Sequence, residues 1–250
     1  MALHGFTGGG GDFAPLAEIF PEYPWLAPDL PGHAPELSAP GAPSDDCGLE
    51  ASLKYLDAFI GKAATETKVL LGYSLGGRLA LRYALARPGR ITGLALIGTS
   101  PGIQDDAERM ARREEDEILA KKILAKGVTA FLDEWQKHPL IATQARLSAA
   151  LRAAMRDRRL RLRKEGLAAS LRQFGQGSLE SAWSKLGELR VPVLLCAGVE
   201  DEKYTAIAHA MQARCSQAEV FIVPNAGHMA HLENRDAFAA RLRAFLKKIK

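Results

Sequence analysis

Short apolar runs alternate along the chain with longer stretches whose apolar residues recur every three to four positions. The runs Trp25-Leu26-Ala27, Val69 to Tyr73, Leu94 to Ile97, Val193 to Ala197 and Val220 to Val223 have the length and branched or leucine-rich character of strands. Leu49 to Lys62, Leu75 to Arg87, Thr205 to Arg214 and Arg235 to Lys248 carry the helical period. Alternation of this kind predicts an α/β architecture, a mostly parallel sheet with helices on both faces. Ligands of such sheets bind beyond the carboxyl ends of the strands. From about Gln104 to Ser178 the rhythm breaks, and the segment reads as several amphipathic helices without a strand. The expected organisation is a core of residues 1–103 and 179–250 interrupted by a helical cap, 104–178, over the catalytic edge of the sheet.

A length of 250 residues suits one large domain, or one carrying such an insertion. The hydrophobic share of 47% and charged share of 25% are ordinary globular values. A formal charge of +4 is mild, and the cap, with 16 lysines and arginines against 11 aspartates and glutamates, accounts for it. For most of those cations a solvated helix face is the better reading. No zinc-finger or RNP-type motif points to nucleic acid. Cys47, Cys196 and Cys215 show no C-x-x-C spacing, and Cys196 lies in an apolar run as a small core residue would. No basic-then-apolar leader opens the sequence, and runs such as Val191 to Val199 fall short of the roughly 20 residues of a membrane span. A soluble, cytoplasmic monomer or weak homo-oligomer is expected, with no membrane partner. The glycine run Gly8 to Gly11 lacks both the G-K-[ST] ending and the G-x-G-x-x-G spelling, so it is not read as a phosphate cradle. His228 and His231 have no ligand set at a usual spacing, and neither metal nor cofactor is expected.

Residues 72–76, Gly-Tyr-Ser-Leu-Gly, stand between the apolar run Val69-Leu70-Leu71 and the helical pattern that Pro88-Gly89 stops. A serine on so sharp a strand-to-helix turn is strained, and glycines two residues either side spare the neighbouring backbone a Cβ. The pattern makes Ser74 a nucleophile, with the Leu75 N–H beside its hydroxyl. A serine hydroxyl needs a base, and the base needs an orienting group. After the cap, the strand Val193 to Ala197 runs into Gly198-Val199-Glu200-Asp201-Glu202. Three acids compete there, and Asp201 is preferred because G-x-x-D recurs in this role. The strand Val220 to Val223 is followed by Pro224-Asn225-Ala226-Gly227-His228, which offers His228 as the base. The order Ser74, Asp201, His228 is the one that goes with a nucleophile elbow. A second oxyanion donor is expected from His4-Gly5-Phe6-Thr7-Gly8, with the Phe6 N–H as candidate. Arg78 lies in the first turn of the helix after Ser74, where a cation opposes the helix dipole. Either a structural carboxylate or a carboxylate of an anionic substrate should compensate it.

The chain resembles the α/β-hydrolase superfamily over its whole length. More narrowly it is similar to the 2-succinyl-6-hydroxy-2,4-cyclohexadiene-1-carboxylate synthases of menaquinone biosynthesis. The resemblance rests on His4-Gly5-Phe6-Thr7-Gly8, Asp29-Leu30-Pro31-Gly32-His33, Gly72 to Arg78, Asp201-Glu202-Lys203-Tyr204 and Asn225 to His231. The cap segment Leu171 to Gly177 is a further mark. It implies the α/β-hydrolase fold and a triad that eliminates pyruvate from an enolpyruvyl ether, with Ser74, activated by His228, removing a carbon-bound proton. It further implies that Arg78, Arg112 and Arg163 bind substrate carboxylates, that Tyr73 and Trp135 line the pocket, and that Lys203 and Tyr204 contact the substrate. Three departures stand out: the sequence opens almost at the His4-Gly5 loop, so a sheet without the usual leading β-hairpin is expected, Ala34 stands in place of a glycine, and Arg235 in place of a proline. The competing readings are a carboxylesterase or carbon–carbon hydrolase with the same triad, and a non-catalytic binding protein on this fold.

Overall fold

The structure is a computed structural model that describes residues 1–35, 45–62 and 65–249. Its elements, in order, are β1 (Ala2–Leu3), α1 (Ala14–Ala17), α2 (Leu49–Ile60), β2 (Val69–Tyr73), α3 (Leu75–Ala86), β3 (Gly93–Ile97) and α4 (Asp106–Trp135). They continue with α5 (Pro139–Ala142), α6 (Ala149–Leu160), α7 (Lys164–Phe174), β4 (Val193–Gly198), α8 (Glu202–Gln212), β5 (Ala218–Val223), α9 (Ala230–Glu233) and α10 (Arg235–Lys248). The five strands form one sheet in the order β1-β2-β3-β4-β5, and every pairing is parallel.

Alternate residues of each strand feed opposite faces, as the two-residue period of a strand requires. Leu70, Leu94, Leu96, Val193 and Leu195 join one core with residues of α2, α3 and α8. Leu71, Ala95, Ile97, Leu194 and Cys196 join a second core with α1 and α10. Apolar residues at every strand position are what a sheet covered on both sides needs. A third cluster, with Ala120, Ile123, Phe131, Leu132, Leu167 and Leu171, lies within the helices between β3 and β4. The Asp105 carboxylate, accepting from the Glu108 N–H at 2.8 Å, starts α4 there. Gly127, at φ +79°, breaks the same helix, a conformation that glycine adopts without steric cost.

One expected strand does not form. Trp25-Leu26-Ala27 has no strand conformation, and its tie to the sheet is a bond from the Ala2 N–H to the Leu26 carbonyl, 2.8 Å. Pro24 and Pro28 bracket the segment and remove the amides a longer ladder would use. The fragment Met1-Ala2-Leu3 instead supplies the short β1, docked on Leu71 and Gly72. Helix α8 begins at Glu202 rather than Thr205, because the Asp201 side chain accepts from the Tyr204 N–H and caps it earlier.

Candidate active site

Parallel strands bring Ser74, Asp201, His228 and Phe6 to one edge. Ser74 follows β2, Asp201 follows β4, His228 follows β5, and Phe6 lies just past β1. Ser74 sits at φ +51°, ψ −106°, backbone that side-chain-bearing residues rarely adopt. Its surroundings impose this turn. A Cβ on Gly72 would lie 2.5 Å from the Gly76 carbonyl oxygen, and one on Gly76 would overlap the Leu3 carbonyl. The crossing of β2 and α3 is therefore closed to any larger residue at either position.

The side chains form a chain of hydrogen bonds. His228 Nδ1 lies 2.6 Å from Asp201 Oδ2, and His228 Nε2 lies 3.0 Å from Ser74 Oγ. A carboxylate only accepts, so Nδ1 carries the proton and Nε2 accepts from the serine hydroxyl. His228 and Asp201 are 3% and 7% exposed, which shields the bond between them from competing water, while the bond to Ser74 is part-buried. Of the three candidate acids, Asp201 alone reaches the imidazole, while Glu200 turns outward to pair with Arg146. The Phe6 and Leu75 amides have no acceptor among the described residues, and both residues line the cavity that opens on Ser74. The loop bearing Phe6 is fixed by His4, which accepts from the Leu30 N–H at 2.9 Å and donates to the Gly5 carbonyl at 2.8 Å. Burial depresses the His4 pKa and keeps the ring neutral for these roles.

That cavity measures about 800 Å³, and Arg78, Arg112, Trp135, Lys203 and Tyr204 also line it. Arg78 is 7% exposed and finds no carboxylate among the described residues. Its Nη2 donates to the Phe174 carbonyl at 3.2 Å, and its Nε is buried without a partner. Burial pulls its pKa down to about 10, with Tyr204 and Asp116 opposing the shift and Arg112 reinforcing it. Among the described residues, then, no structural carboxylate compensates Arg78. Arg112, which lines the cavity, spends its Nε on the buried Asp116, 2.9 Å away. Trp135 stands edge-on to Phe6 with ring centroids 5.8 Å apart.

Two expected contacts are placed differently. Arg163 does not line the cavity. It precedes α7 and its Nη1 is held by both oxygens of Asp45, at 2.8 and 3.0 Å. Tyr73 is absent from the large cavity too: its buried ring packs on His228 and His231, with centroids 5.3 and 4.9 Å away. Together with Ser74 and Arg159 it lines a hollow of about 40 Å³. Arg159, which the sequence did not single out, is thus the α6 arginine that shares this hollow with the serine. It donates to Gln144 at 3.1 Å, keeps a buried Nε without a partner, and has its pKa lowered by burial. The signal was available: Arg159 lies four residues after the buried Met155, on the same helical face. Glu233, also unanticipated, bonds the loop around His228 and carries no local sequence signature.

Residues 2–241 match the profile of the alpha/beta hydrolase family. The 2-succinyl-6-hydroxy-2,4-cyclohexadiene-1-carboxylate synthase of Serratia proteamaculans (strain 568) is 33% identical over 245 residues, 98% of this chain and 91% of that protein. A Bacillus subtilis (strain 168) protein provisionally named as the same synthase is 36% identical over 249 residues, 100% of this chain and 90% of that protein. Among solved structures, MenH from S. aureus aligns with a TM-score of 0.92 at 32% identity, covering 99% of this chain and 92% of that one. An esterase from Thermogutta terrifontis, 23% identical with a TM-score of 0.74 over 99% of this chain and 89% of that one, shares the fold.

Proposed function

The chain belongs to the alpha/beta hydrolase family and, within it, to the 2-succinyl-6-hydroxy-2,4-cyclohexadiene-1-carboxylate synthases, and from that premise we propose that it is a carbon–oxygen lyase of menaquinone biosynthesis. It converts 2-succinyl-5-enolpyruvyl-6-hydroxy-3-cyclohexene-1-carboxylate into 2-succinyl-6-hydroxy-2,4-cyclohexadiene-1-carboxylate and pyruvate. His228 accepts the Ser74 hydroxyl proton through Nε2 while Asp201 steadies the resulting imidazolium. The serine oxygen removes a ring C–H proton, and that electron pair becomes the new ring double bond. The ring C–O bond breaks with its electrons on the enolpyruvyl oxygen. Protonation of the departing enolate at carbon gives pyruvate. The Phe6 and Leu75 amides are suited to hold negative charge as it develops, a contribution of roughly 3–4 kcal/mol in oxyanion-forming enzymes.

The observation that carries this reading is Arg78, a buried cation with no carboxylate partner among the described residues, lining the cavity that holds Ser74. Burying a lone charge is costly, so the site is built for an anion to enter. A substrate with several carboxylates supplies it, with Arg112, Lys203 and Arg159 as further cations around the serine. Tyr204, which accepts from Gln176 at 3.0 Å, and Trp135 shape the apolar walls. The same reading assigns residues 104–178 as the cap, and takes the protein as a cytoplasmic monomer or weak homo-oligomer acting on a small anionic substrate. Among the described residues no helix is long and apolar enough to cross a membrane.

The test is a ratio within one variant. Arg78→Ala should lose about 2–5 kcal/mol of transition-state binding toward the anionic substrate, and Arg78→Lys should restore little of it. Residual turnover of a neutral aryl ester should fall far less. An equal loss on both substrates would make Arg78 structural and return the protein to an unspecified capped hydrolase.

A further inference from the structure

We propose that Glu233 is a positioning residue for the catalytic base: its carboxylate fixes the loop that presents His228 and ties that loop to the helical insert through Thr143. The role rests on His228 being the base. Glu233 ends α9, and its two oxygens are divided between three donors. Oε2 accepts from the Gly227 N–H at 2.7 Å; Oε1 accepts from the Met229 N–H at 3.1 Å and from the Thr143 hydroxyl at 3.0 Å. The two amides flank His228 on either side, so one carboxylate sets the height and tilt of the peptide units that carry the imidazole.

The loop needs such a tie. Asn225 sits at φ +53°, and Asn234 Nδ2 holds the Pro224 carbonyl at 2.7 Å, so the turn is pinned at its start. Glu233 pins it at the residue that matters. His228 must satisfy Asp201 and Ser74 at once, and a loop displacement of a few tenths of an ångström would lengthen one bond or the other. Gly98 crowds the same ring, since a Cβ there would stand 2.8 Å from His228 Cε1.

Chemistry selects glutamate here. Both oxygens must accept, and a glutamine would turn its NH₂ group toward a backbone N–H, donor against donor. Asparagine or aspartate falls one methylene short. The third bond gives the arrangement a reach beyond the loop. Thr143 belongs to the 3₁₀ turn Thr143–Arg146 of the insert, and a Cβ on Gly227 would lie within 2.9 Å of the Thr143 Cβ. Insert and base loop are therefore in direct contact, and the seating of one bears on the geometry of the other through a single side chain.

The experiment uses the full chain with two readouts: kcat and KM for pyruvate release, and the low-field proton resonance of His228 Nδ1–H in substrate-free enzyme. Glu233→Gln should lower kcat about 10- to 100-fold while KM stays within about twofold, in line with the cost of small misplacements of a reacting group. The low-field resonance should move or broaden. Thr143→Val removes the hydroxyl bond alone and should give a smaller loss of the same sign, which disappears when Glu233 is already changed. Glu219→Gln, which removes a carboxylate paired with Arg241 and Lys248 on β5, is the control that should lower stability and leave both readouts in place. Wild-type kcat with an unmoved resonance in Glu233→Gln would overturn the proposal, as would an equal kcat loss in Glu219→Gln. If Glu233→Gln does not fold, an unchanged kcat and resonance in Thr143→Val would overturn it. Should the wild-type protein release no pyruvate, the reaction assignment fails, while the resonance still reports on the positioning role.

Discussion

At Ser74 the backbone holds a conformation that side-chain-bearing residues rarely adopt. Its φ of +51° is imposed by close contacts of Gly72 and Gly76, so the hydroxyl stands clear of the sheet at the first turn of α3. Ser74→Ala should abolish turnover and leave the fold intact, and combining it with His228→Ala should cost little beyond either change alone, since triad members act as a unit. Ser74→Gly should also be inactive yet more stable than Ser74→Ala by about 1 kcal/mol, because glycine carries no penalty at positive φ. A denaturant midpoint for each variant checks the difference, and equal midpoints would remove strain from the account. Ser74, Asp201, His228 and Arg78 were legible because each sits at a fixed offset from a strand end or a glycine pattern. The placing of Arg163 was not legible for the opposite reason: the arginine-rich stretch around it offers many residues of equal appearance, and its partner Asp45 is distant in sequence.

Among the elements, four of the five expected strands and all four expected core helices were visible in the hydrophobic period, since buried parallel strands leave little room for polar residues. The expected strand at Trp25-Leu26-Ala27 does not form, because pairing depends on available amides and the flanking prolines remove them. The junction of β1, β2 and α3 shows how tightly these elements close around the site. Gly76→Ala would drive a methyl into the Leu3 carbonyl and to 2.5 Å from the His4 carbonyl, displacing the loop that carries Phe6. It should cost about 3 kcal/mol or more, toward the upper end for overpacked sites, with activity lost in the fraction that still folds. Chemical denaturation gives the stability term, and a cost below about 1 kcal/mol would show that the contact relaxes easily. The insert is tied to the core at loops beside the chemistry: Arg158 to the buried Asp12 at 2.6 Å, Arg146 to Glu200 next to Asp201, and Thr143 to Glu233. These pairings join residues far apart in sequence and leave no trace in local pattern.

Across the whole molecule, buried neutral histidines predict acid sensitivity. Burial pulls His33 and His231 down to about 3 from an ordinary value of 6.5. Below 6.5 the unfolded chain takes up a proton at each position and the folded chain does not, so stability falls as pH falls. The slope approaches about 1.4 kcal/mol per pH unit for each histidine until pH nears 3. His231 is stacked on Phe13 and packed against Tyr73, so His231→Phe should fold and should lower the slope of stability against pH by about one proton. An unchanged slope would show that His231 takes up its proton in the folded state. The central claim concerns the molecule as a catalyst, and one measurement tests it most directly. Purified protein is incubated with 2-succinyl-5-enolpyruvyl-6-hydroxy-3-cyclohexene-1-carboxylate, and pyruvate release is followed together with the ring-diene absorbance. The account predicts that both appear in equal amounts with wild-type protein, that Ser74→Ala produces neither, and that Arg78→Ala is strongly impaired. Absence of pyruvate release by the wild-type protein, or release that survives Ser74→Ala, would contradict it.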